Sequence, residues 1–186
     1  MRKPLLSAMC ALALLPSPAL AQSPPSQVGA TVALPGEQTG RSFVQYMWMI
    51  DKYERAAGRM AERRGQSAAV RELGRDMIVR HQALSRDLAR VADHTQVGNV
   101  VTPPPAFDPP RQRLFGELSQ TPDSTFDRAF IAQQIAVHRE ALAYAQGYVD
   151  HGGVPRLRAH ARQMVPVLRD HLAVLQGLGG AAVAVN

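Results

Sequence analysis

Four stretches of the chain repeat apolar residues at alternating intervals of three and four, the spacing that lines one face of an α-helix. Phe43, Met47, Ile50, Glu54, Ala57 and Ala61 make the first stripe. It predicts a helix beginning after Thr39-Gly40 and stopping near Arg64-Gly65, where glycine favours a helix end. Val70, Gly74, Met77, His81, Leu84, Leu88 and Val91 make the second, with Ser67 placed to cap it. The third stripe contains Phe130, Gln134, Val137, His138, Ala141, Ala145 and Tyr148; its helix opens at Asp123 or Ser124 and ends at His151-Gly152-Gly153. Pro155 suits the first turn of a fourth helix, whose stripe runs Leu157, Ala161, Met164, Leu168, His171, Leu175, Leu178 and ends at Gly179-Gly180.

Between the second and third stripes lies NVVTPPPAFDPP, residues 99–110, whose five prolines forbid a helix. It reads as a long connection, with a short helical turn around Arg111 to Leu118. The predicted fold is all-α: four helices of about 24 to 27 residues, roughly 36 to 40 Å each at 1.5 Å per residue. Two antiparallel hairpins joined by one Pro-rich crossover make a four-helix bundle of ferritin-like topology over 41–178; a plain up-and-down bundle with a long middle loop is the alternative.

Outside the stripes the pattern changes. Arg2 and Lys3 precede an apolar run from Leu5 to Leu15 and the ending Ala19-Leu20-Ala21. A basic start, short apolar core and small-x-small finish read as a signal peptide over 1–21, cleaved after Ala21, and predict a periplasmic protein. The run is too short to span a bilayer, so no transmembrane span is expected after cleavage. Residues 22–40, with three prolines and three glycines, read as a disordered lead-in, and 179–186 as a frayed tail.

Composition agrees with helices, because aromatic residues reach only 5% in a chain that is 46% apolar. The single cysteine, Cys10, leaves with the leader. Neither a disulfide nor a thiolate site is then available. Loss of Arg2 and Lys3 lowers the formal charge from +6 to +4.

Each stripe carries one polar intruder: Glu54, His81, His138 and His171. Ionisable groups on a buried face are costly unless paired or metal-bound. Counted from Gln66, Glu54 lies 12 residues before and His81 15 after, a depth mismatch of about 4 to 5 Å. Counted from Gly152, His138 lies 14 before and His171 19 after, a mismatch of about 7 to 8 Å. All four therefore meet near mid-bundle. Three imidazoles and a carboxylate suit one zinc, copper or iron ion. A buried hydrogen-bonded Glu-His network is the competing reading. Ferroxidase chemistry is not expected, because Ile78, Ile135 and Leu168 stand where a di-iron site needs the glutamate of Glu-x-x-His. Met77 one turn before His81, and His160 one turn before Met164, offer a copper variant.

Arg55, Arg59 and Arg63, then Arg71 and Arg75, then Arg86 and Arg90, follow four-residue spacing. Asp51, Glu62, Glu72, Asp76 and Asp87 lie among them, so the stripe reads as a solvated face of ion pairs. The other use of such a face is to meet an anionic envelope surface or a protein partner. No groove-reading motif points to nucleic acid, and no phosphate loop, nucleophile elbow or zinc-protease helix is present. An enzyme would need a metal with an open position.

The segments VRELGRDMIVRHQALSRDLARVA, TFDRAFIAQQIAVHREAL and RAHARQMVPVLRDHLAVLQGL resemble domain of unknown function 4142, over about Ser42 to Leu178. Such proteins are exported bacterial ferritin-like helical bundles with no established activity. The resemblance implies that Glu54, His81, His138 and His171 match the family's recurring polar core positions. Arg80 departs from it, standing where members commonly carry an acidic residue before the histidine. The expectation is an exported protein holding a mononuclear metal, serving in binding or envelope stress tolerance. The alternative is a structural or interaction module with a hydrogen-bonded core and an Arg-rich partner surface.

Overall fold

A computed structural model describes residues 38–184; the expected leader and residues 22–37 of the lead-in lie outside them. Five α-helices occur among these residues: α1 (Gly40–Arg64), α2 (Ala68–Asp93), α3 (Pro109–Gln120), α4 (Asp123–His151) and α5 (Pro155–Ala184). Their starts follow local chemistry. The Thr39 hydroxyl accepts from the Ser42 amide at 3.1 Å, the Ser67 hydroxyl from that of Val70 at 3.2 Å, and the Asp108 carboxylate from that of Arg111 at 2.9 Å. Each satisfies an amide that has no partner within its helix.

Two boundaries differ from the sequence pattern. The short turn in the connection is a 12-residue helix, because Pro109 and Pro110 occupy its first turn, where the missing N–H costs nothing. The last helix does not stop at Gly179-Gly180 but continues to Ala184. No described glycine has a positive φ, so neither glycine acts as a left-handed cap, and helical glycine costs only about 1 kcal/mol.

α1 and α2 form an antiparallel hairpin with close backbone approach. A Cβ added to Gly58 would lie 2.7 Å from the Gly74 carbonyl oxygen, and one added to Gly74 would lie 2.6 Å from that of Gly58. No side chain fits at either position unless the helices separate. α4 and α5 form a second hairpin, which sets α4 beside α1 and α5 beside α2. Phe43 stacks on Tyr148 with centroids 4.0 Å apart, and Tyr46 meets Tyr144 at 4.1 Å, so α1 and α4 run antiparallel.

The connection between the hairpins runs the length of the molecule. It leaves near the start of α1, where Val97 approaches Gly40, and reaches α4 at the far end, where Arg64 pairs with Asp123 at 2.8 Å. α3 lies on this path. Its buried Arg111 binds Glu140 and the Tyr46 hydroxyl, the latter at 3.2 Å, which ties the crossover to α1 and α4. Among the described residues no helix is long and apolar enough to cross a membrane.

Candidate metal centre

Antiparallel packing brings the middles of α2, α4 and α5 together, and with them His81, His138 and His171, all fully or almost fully buried. One ring nitrogen from each lies within 4.8 Å of the other two. The imidazoles crowd together with centroids 5.4 to 5.7 Å apart, His138 edge to face with the other two and His81 tilted against His171.

What stands behind each ring decides which nitrogen faces its neighbours. His138 Nδ1 lies 3.0 Å from the Gln134 carbonyl oxygen, one turn earlier on α4. A carbonyl oxygen only accepts, so Nδ1 carries the proton and Nε2 a lone pair. His81 Nδ1 lies 2.9 Å from Asp51 Oδ1, and His171 Nε2 lies 3.2 Å from Asp76 Oδ2. Donation to these carboxylates leaves lone pairs on His81 Nε2 and His171 Nδ1. His81 Nε2 has no partner, and His138 Nε2 faces His171 Nδ1 at 3.3 Å. Two lone pairs at that distance repel unless a cation or a proton lies between them. Nitrogens sharing one tetrahedral zinc at about 2.0 to 2.1 Å stand about 3.3 to 3.4 Å apart.

The surroundings keep His138 and His171 neutral. Burial first, then the neighbouring imidazoles, hold His138 well below the ordinary histidine range. Burial and the proximity of His81 lower His171 to about 4, although Asp76 pulls the other way. Neutral imidazole is the form that ligates a metal.

Glu54 does not join the converging nitrogens. It is fully buried behind His138, with Oε1 3.6 Å from Nδ1, and the Gln134 side-chain amide, in its favourable orientation, donates to both carboxylate oxygens. Burial, reinforced by the charge of Asp51, pushes its carboxyl well above the usual range. The position opposite His81 belongs instead to Asp51, one turn earlier on α1. Asp51 is fully buried, which corrects its reading as part of the solvated ion-pair face. Its carboxyl too is raised by burial, against the opposing pull of His81.

Asp76 is half-buried and links the centre to the surface. Burial works against its ionisation, yet Arg80 at 2.8 Å and His171 together hold it below its ordinary range. Arg80 thus binds the carboxylate that orients His171. Elsewhere on the arginine stripe, Arg90 pairs with Asp87 at 3.2 Å, and Arg71 donates to the Gly65 and Gln66 carbonyls. Of the residues considered for copper, Met77, His160 and Met164 are all buried, and His160 stands apart from the three-histidine cluster. The sequence pattern had signalled Asp51 only through its depth, 15 residues before Gln66 just as His81 is 15 after it.

Comparison with known proteins adds a fold and a family. The chain is similar to a solved structure described as a DUF305 fragment from Deinococcus radiodurans, at 22% identity and a TM-score of 0.65, covering 76% of this chain and 95% of that one. At that identity the likeness concerns the helical fold alone. No curated protein matches the chain. Residues 24–178 match the family described as domain of unknown function (DUF4142), and the chain belongs to that family.

Proposed function

We propose that this protein is an exported four-helix bundle of ferritin-like connectivity that holds one divalent transition-metal ion between His81, His138 and His171. One observation carries the metal: three buried imidazoles, each with one nitrogen engaged by Asp51, the Gln134 carbonyl or Asp76, bring a nitrogen apiece within 4.8 Å of one another. That is the donor set and the outer hydrogen bonding of a histidine metal site. Zinc, copper and iron all suit imidazole, and a fourth ligand completes the shell. Glu54 stands behind His138 and makes no direct bond to the ion. A cation in the core favours ionisation of Asp51 and Glu54, which burial opposes.

The bundle reading rests on the two hairpins and the crossover along their length. The pattern of residues 1–21 supports export, and the reading is of a periplasmic protein serving in metal binding or envelope stress tolerance. A second reading draws on the 3.3 Å separation of His138 Nε2 and His171 Nδ1, within hydrogen-bond reach. A proton held there makes the core a metal-free hydrogen-bonded network in an interaction module.

Elemental mass spectrometry of the untagged protein, purified without chelator, separates the two. Near-stoichiometric zinc, copper or iron that disappears in the His81→Ala/His171→Ala variant is expected. No bound metal, together with no rise in melting temperature on adding any of the three ions, overturns the proposal.

A further inference from the structure

Among the described residues, the groups that hold the three histidines are sealed from solvent with one exception. His81 and its partner Asp51, and His138 with Glu54 behind it, have fully buried side chains. Gln134, whose carbonyl holds His138, is buried too, as are Met77 and Leu168, each one turn before a histidine of the centre. Asp76 is the exception. Its carboxylate is 43% exposed and accepts from His171 Nε2 at 3.2 Å, so the surface lies one residue away from a ring that is itself 3% exposed.

An ion cannot cross packed side chains without displacing some of them. Displacement is least costly at His171, because swinging its ring aside breaks one hydrogen bond to a carboxylate that water can reach. Moving His81 would leave the fully buried Asp51 without its partner, and His138 is walled in by Glu54 and Gln134.

Arg80 stands over that exit. One turn after Asp76 on α2, its Nε reaches both carboxylate oxygens, Oδ1 at 2.9 Å and Oδ2 at 2.8 Å, and Oδ2 is the oxygen that accepts from His171. The guanidinium thus fixes the carboxylate that fixes the ring. Arg80 is 48% exposed, and Asp170, an exposed acid beside His171 on α5, lies near enough for its charge to act on it. A second carboxylate on the facing helix therefore offers the guanidinium a place to move to. Drawing in cations is not what Arg80 is placed to do, since its charge repels them.

We propose that Asp76 and Arg80 form a latch on His171, through which a divalent transition-metal ion enters and leaves the three-histidine centre. While the pair holds, the ring stays closed over the ion; release of Arg80 from Asp76 frees the ring to swing. Arg80 is a positioning residue that acts on the rate of exchange through Asp76 and does not touch the ion. The latch rests on the metal reading of the three histidines.

Zinc exchange in the full-length mature protein tests it, with copper(II) or iron(II) in its place if zinc does not load. Release is followed by mixing the loaded protein with excess chromophoric chelator. Uptake is followed by adding the ion to metal-free protein and trapping what remains free at timed intervals. In Arg80→Gln both rates are expected to rise about fivefold, the upper range for one exposed ion pair, so that equilibrium affinity stays within about twofold. Arg80→Lys, which keeps a cation for Asp76, retains rates within about twofold of the parent. Arg90→Gln, which breaks the exposed pair with Asp87 elsewhere on α2, leaves them unchanged. In an Asp76→Asn background, Arg80→Gln has no further effect. Parental release from Arg80→Gln, or an acceleration undiminished in the Asp76→Asn background, overturns the latch and leaves the metal centre standing. Faster uptake without faster release also overturns it, because removal of a repelling charge produces that alone. A parent protein that takes up none of the three ions overturns the metal reading, and the latch with it.

Discussion

Two histidine neighbourhoods on α5, about 16 Å apart along the helix, differ in what stands behind the ring. His171 has Asp76 on its outer nitrogen and His138 across from its inner one, so its tautomer and its aim are both set. His160 is as deeply buried, but neither of its ring nitrogens makes a hydrogen bond among the described residues, and its neighbours at a recess between α2 and α5 include Arg90, His94 and Arg156. Burial alone therefore does not make a histidine a ligand. A carboxylate or carbonyl behind the ring presents a lone pair in front of it, whereas a ring with no acceptor behind it has neither tautomer fixed.

The comparison breaks most sharply on removal of the ligands. The His81→Ala/His171→Ala variant is expected to lose the whole of its metal-dependent stabilisation, about 4 kcal/mol with free metal a thousandfold above Kd. Calorimetric melting with and without the ion reads this directly, and a metal-induced rise that survives the double substitution counts against the centre.

Acid should weaken the metal-free protein by nearly as much. His171 titrates at about 4 when folded and near 6.5 when unfolded, so between these values the unfolded chain takes up a proton that the folded one refuses. Stability is complete above about pH 6.5 and declines by about 3 kcal/mol as pH falls toward 4. Urea unfolding of chelator-treated protein across this interval measures the slope; a flat profile contradicts the neutral, buried imidazole.

A smaller effect comes from the groups behind the rings. Asp51→Asn keeps the size of the partner to His81 but removes its charge, and should weaken metal binding about tenfold. Competition with a chromophoric chelator supplies the affinity. At the other histidine the contrast is complete: His160→Leu leaves metal affinity unchanged and alters stability by no more than about 1 kcal/mol, in the stabilising direction, because an unsatisfied polar ring gives way to an apolar side chain. Metal affinity that falls in His160→Leu would tie the two neighbourhoods together and undo the comparison.

Much of the fold was legible because helix signals are local. Thr39, Ser67 and Pro155 mark the starts of α1, α2 and α5 where the stripes begin, and five prolines in 99–110 mark the connection. The α5 end was not legible, since Gly179 and Gly180 can either cap a helix or continue it. Helical continuation won, with Gly179 set beside Ile131 and Ile135 of α4.

The site was legible in part. A polar residue interrupting an apolar stripe identified His81, His138 and His171, whose stripes face a common centre. Asp51 escaped because a stripe read at three-four spacing is narrow, whereas α1 packs against α2, α3 and α4 and buries much more of its circumference. Glu54 and Asp51 lie one turn apart, and only the register of the hairpin decides which of them meets His81. The mismatch in depth counted for His138 and His171 also disappears in the structure, because the two residues are symmetric about Val154-Pro155 rather than Gly152.

The amino-acid sequence by itself determined the helical class, the family resemblance, where most helices begin, and which histidines sit on buried faces, because these follow from periodicity and capping within a few turns of chain. Tertiary structure alone decided that three imidazoles converge, that Asp51 and Asp76 stand behind two of them, that Glu54 lies to the rear, and that His160 is left without a partner. Those outcomes depend on helix rotation and register. One residue of rotation, about 100° around a helix, moves a side chain from the core to a flank, and no local pattern specifies it.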